Sequence, residues 1–336
     1  MSSFSGMQYG DISPRVGVYV QAKFLVHAQP TLTLERFATT TAVPKNKSQT
    51  IKWRRAIPFS ISTEQLVEGV TPAPQGVSFE DITGQLAQYG AWIPMTDVLM
   101  DTHEDVNLQT WTMLAGEQAG LTKERILWNM MIGGTNVVYS GDATSRAEVE
   151  APLDLNDLRL VQRTLKVAMA KPVTRMIDAS ANIATEPVAG GYIGIGHTNL
   201  EQDIRGLAGF VPREQYSNTT KILSEFEIGK VEDLRILLAP HFTYFAGAGA
   251  SGATGVLTTG GNADVYPLVF FGQDAFAATP LKGSDSAQVV VKNPQMGTSY
   301  EDPLGQRGFI AWKMWYSATR LNEAWIVRVE SAVSAL

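Results

Sequence analysis

The chain has 336 residues, 44% of them hydrophobic and 18% charged, with a net charge of −6 and a pI near 5.3. These values exclude a disordered or coiled-coil chain and leave room for about two domain-sized cores. A protein that grips nucleic acid over a broad face normally shows a basic excess, so any such contact is expected to be local or weak. There are no cysteines, which removes disulfides, thiolate zinc sites, iron–sulfur clusters and Cys nucleophiles together.

Residues 1–12 are small and polar and read as a loose arm. They carry neither the basic nor the apolar region of a secretory signal, and no apolar run reaches the roughly 18 residues of a membrane helix. Folding in a cytosol-like compartment is therefore expected. Ser13-Pro14 then fits a helix cap, and Val16, Val20, Phe24 and His27 recur at helical spacing up to Pro30.

Residues 48–59 switch to strand character. Ile51 and Trp53 fall on one face and Lys52 and Arg54 on the other. Residues 60–76 are rich in Pro and Gly, and 77–95 read as one returning strand with Phe79, Ile82, Leu86, Tyr89, Trp92 and Ile93. Two extended arms joined by a long tip make a projecting hairpin. A lone two-stranded ribbon is marginal in water, so a neighbouring subunit is expected to supply its other side.

The strongest helical pattern covers 105–132. Leu108, Trp111, Ala115, Ala119, Ile126 and Met130 recur three and four apart, Asp105 can cap the start, and Gly133-Gly134 ends it. Its small residues predict a close approach to a sheet, with Gln118 facing outward. A second helix is expected over 154–169, opened by Asp154 and Asp157. Residues 191–196, 234–238 and 265–271 read as buried strands, and 198–206 as a helix. The Gly/Thr-rich stretch 247–262 reads as a flexible surface loop. A strand over 287–292 precedes two closing strands, one long and ending at Ala318, one shorter and starting at Ala324. The order is α+β, with no internal repeat.

Little of this can do chemistry. Gly247-x-Gly249-x-x-Gly252 matches the dinucleotide fingerprint literally, but no helix can start after it to hold a pyrophosphate. Gly194-x-Gly196-x-x-Asn199 lies between a strand and a helix, yet reads as a tight turn. Asp101, His103, Glu104 and Asp105 are the one cluster of potential metal ligands, in a place where helix-start residues are expected anyway. Neither a nucleophile elbow nor a phosphate-binding loop is present. Lys52-Trp53-Arg54-Arg55 could stack on and neutralise a nucleic-acid backbone. The competing expectation is an interface in which these cations meet acidic groups such as Glu64, Glu68, Glu80 and Asp81 across a subunit boundary. Metal, cofactor and catalytic sites are all expected to be absent.

Five segments carry a family resemblance, in order. They are Thr50-Ile51-Lys52-Trp53-Arg54-Arg55 with Leu66-Val67-Glu68-Gly69-Val70-Thr71-Pro72; Gln88-Tyr89-Gly90-Ala91-Trp92-Ile93-Pro94; Gly133-Gly134-Thr135-Asn136; Phe271-Gly272-Gln273-Asp274; and the closing stretch from Asp302-Pro303-Leu304-Gly305. Together they resemble the N4-type major capsid protein family of tailed phages, a branch of the HK97-like capsid fold. The resemblance implies an N-terminal arm (1–45), an extended loop (46–95), a peripheral domain (96–150 and 288–336) around a spine helix (105–132), and an axial domain (151–287). It implies self-assembly through hexamers and pentamers into an icosahedral shell around double-stranded DNA held by weak, non-specific contact. Portal, scaffolding and decoration proteins would be its other partners, and no membrane is involved. The protein would be made in the host cytoplasm and end in the virion. Lys52, Trp53, Arg54, Arg55, Glu64, Glu68, Pro72, Pro74, Glu80 and Asp81 are the expected interface residues. A non-viral compartment shell of the same fold and a nucleotide-binding enzyme are the alternatives.

Overall fold

The computed structural model describes residues 33–63, 65, 68–69, 71, 74–102, 108–177, 185–216, 222–282, 288–294 and 302–335. The expected helix after Ser13-Pro14 and the Asp105 cap lie outside these residues.

A five-stranded sheet is organised by one long strand, Arg307–Arg320. Along one side it pairs antiparallel with Ala87–Thr96 over ten residues. Along the other it pairs first with Gln288–Lys292 and then with Phe276–Pro280, which carries the short parallel strand Thr39–Thr40. The long strand alternates as period-2 geometry requires: Ile310, Trp312 and Met314 are buried on one face. Onto that face lies the long helix Leu108–Ile132. Ala115 and Ala119 are buried against Ile310, Trp312 and Met314, with Trp111 and Ile126 beside them. The small side chains let helix and sheet approach, as the sequence spacing predicts. Gln118 faces outward, as expected. It is exposed, yet its Oε1 accepts a hydrogen bond from the Trp312 indole at 2.9 Å.

An eight-stranded mixed sheet forms the second layer system. Its order runs Val137–Tyr139, Ile326–Ser331, Tyr266–Phe271, Thr185–Gly196, Leu234–Leu238, Glu227–Val231 and Phe210–Pro212, with Val173–Ile177 paired to Thr185–Gly196. Alternation along its central strand divides two cores. Val269 and Phe271 join Ile193 and Ile195 in a cluster with Leu127, Trp128 and Met131 of the long helix and Phe276 and Tyr316 of the other sheet. Leu268 and Phe270 face the opposite way, toward Leu158, Val161 and Leu165 of the helix Leu155–Val167. That helix opens on a reciprocal capping box between Asp154 and Asp157. It stops at Val167, two residues short of the expected end, where Met169 takes a left-handed φ of 52°.

The two closing strands therefore serve different sheets. The long one runs two residues past Ala318, a 3-10 turn at Glu323–Trp325 redirects the chain, and Ile326–Ser331 enters the eight-stranded sheet. The turn thus moves the chain between layers.

Candidate subunit interface

Thr50–Ala56 and Phe79–Gln85 form a two-stranded antiparallel sheet of their own, pairing Trp53 with Ile82 and Arg54 with Asp81. The returning arm is not one strand over 77–95. It breaks at Leu86, which is buried and donates its backbone N–H to the Gln49 carbonyl; Ala87–Thr96 then belongs to the five-stranded sheet. The apolar residues at 82, 86, 89 and 92 do not keep a period of two, which is the sequence trace of this change of sheet.

At its base the hairpin is fixed by the half-buried face that carries Ile51, Trp53 and Ile82. A side chain at Gly84 would collide with the Trp53 ring and the Thr319 hydroxyl of the long strand, so glycine is needed for the ribbon to sit this close. The opposite face is charged. There Arg54 Nε donates to Asp81 Oδ1 at 2.8 Å and Lys52 Nζ to Asp81 Oδ2 at 3.2 Å; on the Trp53 face, beyond Ile82 toward the tip, Arg55 Nε donates to Glu80 Oε2 at 3.2 Å. The hydrogen bond from Arg54, with a second from Lys52, holds the Asp81 carboxyl down at about 2. The three cations are thus paired within the ribbon. Both partners stood among the acidic residues expected from sequence, but as partners across a subunit boundary rather than in the same chain; Glu64 and Pro72 lie outside the described residues, while Glu68 and Pro74 are exposed in the tip.

Toward the tip the backbone pairing stops at the bond from Ile57 N–H to the Ser78 carbonyl. Here Ile57, Phe59, Val77 and Phe79 are exposed, and Ile61 is 91% exposed. Sequence reasoning missed these five. Their signal was apolar residues flanking a Pro/Gly-rich segment, where the strand reading assumed a buried face that the ribbon's end does not have. Clustered exposed apolar side chains on a projecting element mark a surface that another protein covers.

The candidate chemical motifs resolve into packing. A Cβ at Gly194 would overlap the Phe270 ring and one at Gly196 would lie 2.9 Å from Leu268 Cδ1, so these glycines admit core side chains. In the 247–262 loop, Gly247 N–H donates to Asp264 Oδ1 at 2.7 Å, Gly249 N–H to the Ala263 carbonyl at 2.9 Å, and Gly252 N–H to the Gly261 carbonyl at 3.0 Å. The amides that a pyrophosphate would need are already used. The loop is stitched to itself rather than flexible; composition could not show this, because glycine permits such tight turns as readily as it permits disorder. His103, Glu104 and Asp105 lie outside the described residues, and among those described no group of three His, Asp or Glu could hold a metal ion. Buried carboxylates elsewhere meet arginines: Glu227 meets Arg235, and Glu330 meets Arg146 and Arg328. No helix among the described residues is long and apolar enough to cross a membrane.

A family model described as phage capsid protein matches residues 80–329. The chain belongs to the phage capsid protein family. The major capsid protein of Pseudomonas phage KPP21 is 24% identical over 273 residues, covering 74% of this chain and 67% of that protein. The head structure of Helicobacter pylori bacteriophage KHP40 is similar in fold, with a TM-score of 0.63 at 9% identity over 98% of this chain and 99% of that one. The capsid of Ralstonia phage GP4 gives 0.62 at 12% identity, covering 99% of each chain. The fold is the HK97-like capsid fold, and the protein is a structural subunit of a phage capsid shell, a component of the virion that assembles with copies of itself.

Proposed function

We propose that this chain is the major capsid protein of an N4-type tailed phage, forming hexamers and pentamers of an icosahedral shell around double-stranded DNA. The observation that carries the reading is the hairpin: an ion-paired, base-anchored ribbon whose described apolar tip residues are exposed. In this assignment residues 46–95 hold the extended loop that lies over a neighbour: the ribbon and its tip project, and Ala87–Thr96 roots it in the five-stranded sheet. The long helix is the spine of a peripheral domain (96–150 and 288–336), and 151–287 is the axial domain near the symmetry axes; Val137–Tyr139 and Ile326–Ser331 cross into the axial sheet and Phe276–Pro280 into the peripheral one, so the boundary runs through these strands.

Assembly would be driven by apolar burial at repeated contacts, at roughly 25 cal/mol per Å² before association costs. The net charge of −6 suits a shell that must enclose dense DNA without binding it tightly. The cations at 52, 54 and 55 are paired with Asp81 and Glu80, which lowers what they could offer a phosphate backbone. A separate scaffolding protein, a portal and a decoration protein are the further partners in this reading, with synthesis in the host cytoplasm.

Electron microscopy of the purified protein, alone and with its scaffold, tests it. Closed shells are expected. Replacing residues 57–79, which hold all five exposed apolar side chains, with a short glycine-rich turn should leave a folded, soluble subunit that forms none; normal shells from that variant would refute the role given to the tip.

A further inference from the structure

The strand Gln288–Lys292 lies at the edge of the five-stranded sheet. It pairs with Phe309–Lys313 on its inner side, and no described strand pairs with its outer side. Val289, Val290 and Val291 are 37%, 44% and 43% exposed, although they are three consecutive β-branched residues in a folded strand. Val289 and Val291 stand opposite Trp312 and Ile310, on the face toward the long helix; Val290 stands opposite Ala311, on the other. Apolar side chains are thus exposed on both faces at an edge. Native proteins rarely leave such an edge open, because its backbone groups template another strand.

We propose that this edge pairs antiparallel with the same strand of a second copy, about a two-fold axis through Val290. The inference rests on the shell-subunit reading, which supplies many copies. The strand is self-complementary in that arrangement. Centred on Val290, the pairing sets Val290 against Val290 and Val289 against Val291, and Lys292 meets Gln288 rather than another lysine. A parallel, in-register pairing would instead stack Lys292 on Lys292, and like charges directly opposite destabilise a sheet. The antiparallel contact is isologous: each edge is used once and the pair closes. It therefore joins subunits two by two across a shell instead of propagating a fibre.

The absence of cysteine gives a direct test. Directly opposed residues of an antiparallel pair are close enough for a disulfide. Val290→Cys in assembled shells, treated with a mild oxidant, should run as a covalent dimer on a non-reducing gel. Leu304→Cys, at a well-exposed site outside the strand, should stay monomeric. Val289→Cys alone should stay monomeric too, and should cross-link when co-assembled with Val291→Cys. Intact shells in which Val290→Cys links no better than Leu304→Cys would overturn the pairing. If Val290→Cys subunits do not assemble, hydrogen exchange of wild-type protein decides: amides of 288–292 should be at least tenfold better protected in shells than in free subunits, and equal protection would overturn the proposal. Failure of the wild-type chain to form shells under any condition would sink the shell-subunit reading and this inference with it.

Discussion

Glu124 sits in the middle of the long helix, almost fully buried. Its Oε1 accepts from the Thr33 N–H at 2.8 Å, the Thr33 hydroxyl at 2.9 Å and the Leu34 N–H at 2.9 Å, and so fastens the start of the 3-10 turn Leu34–Phe37 to the helix. Sequence pattern gives no notice of this, because the two partners are 90 residues apart and a glutamate in a helix ordinarily faces water. Leaving buried donors unpaired costs about 1–3 kcal/mol each. Glu124→Ala is therefore expected to lower the stability of unassembled subunits by about 3 kcal/mol or more in urea denaturation, and Glu124→Gln by less, since it keeps one acceptor. At the hairpin, Asp81 offers a pH test. Its folded pKa is depressed to about 2, so its pairing contributes fully above the ordinary carboxylate value near 3.9 and is lost as pH falls through about 2. An NMR titration of the Asp81 carboxyl should show that low midpoint, and Arg54→Ala should move it upward. A midpoint near 4 in the unaltered chain would show that the ribbon's ion pairs do not form in solution.

The elements were legible where one period governed a whole segment. The long helix, the long closing strand, the buried strand over 265–271 and the Asp154 cap all announced themselves. Elements were misread where composition or continuity stood in for contacts: the strand that changes sheets at Leu86 and the stitched glycine loop. Helix and long strand together yield a packing prediction. Ala119 is buried against Ile310, Trp312 and Met314, so Ala119→Leu forces extra volume into a closed layer, at about 1–3 kcal/mol. An outward-facing Gln118 alone would make Gln118→Lys nearly neutral. The hydrogen bond from Trp312 changes that expectation to a loss of about 0.5–1.5 kcal/mol. Denaturation midpoints of the two variants check both numbers. A larger loss from Gln118→Lys than from Ala119→Leu would place the helix face wrongly.

At the scale of the whole molecule, the fold separates what must be rigid from what must be shared. Two sheets and two helices enclose their own cores, and the buried arginine–carboxylate pairs lock them internally. Among the exposed apolar residues described, those of the hairpin tip and of the valine edge lie together at the margins of the fold. The tip was foreseen from its Pro/Gly composition and the marginal stability of a lone ribbon, but its apolar residues were not, because exposure is a property of the folded chain. Phe59 and Ile61 are exposed in the subunit. Replacing both with Glu should therefore change subunit stability by no more than about 0.5 kcal/mol, the usual range for surface sites. In a shell the same side chains would be buried against a neighbour, where an unpaired charge is costly. The double variant is expected to stay monomeric, with an unchanged melting temperature, under conditions in which the parent forms shells. Light scattering and calorimetry measure the two properties separately. If Phe59→Glu with Ile61→Glu assembled normally, the tip would not be a buried contact; if it melted early, the tip would be packing on its own chain instead.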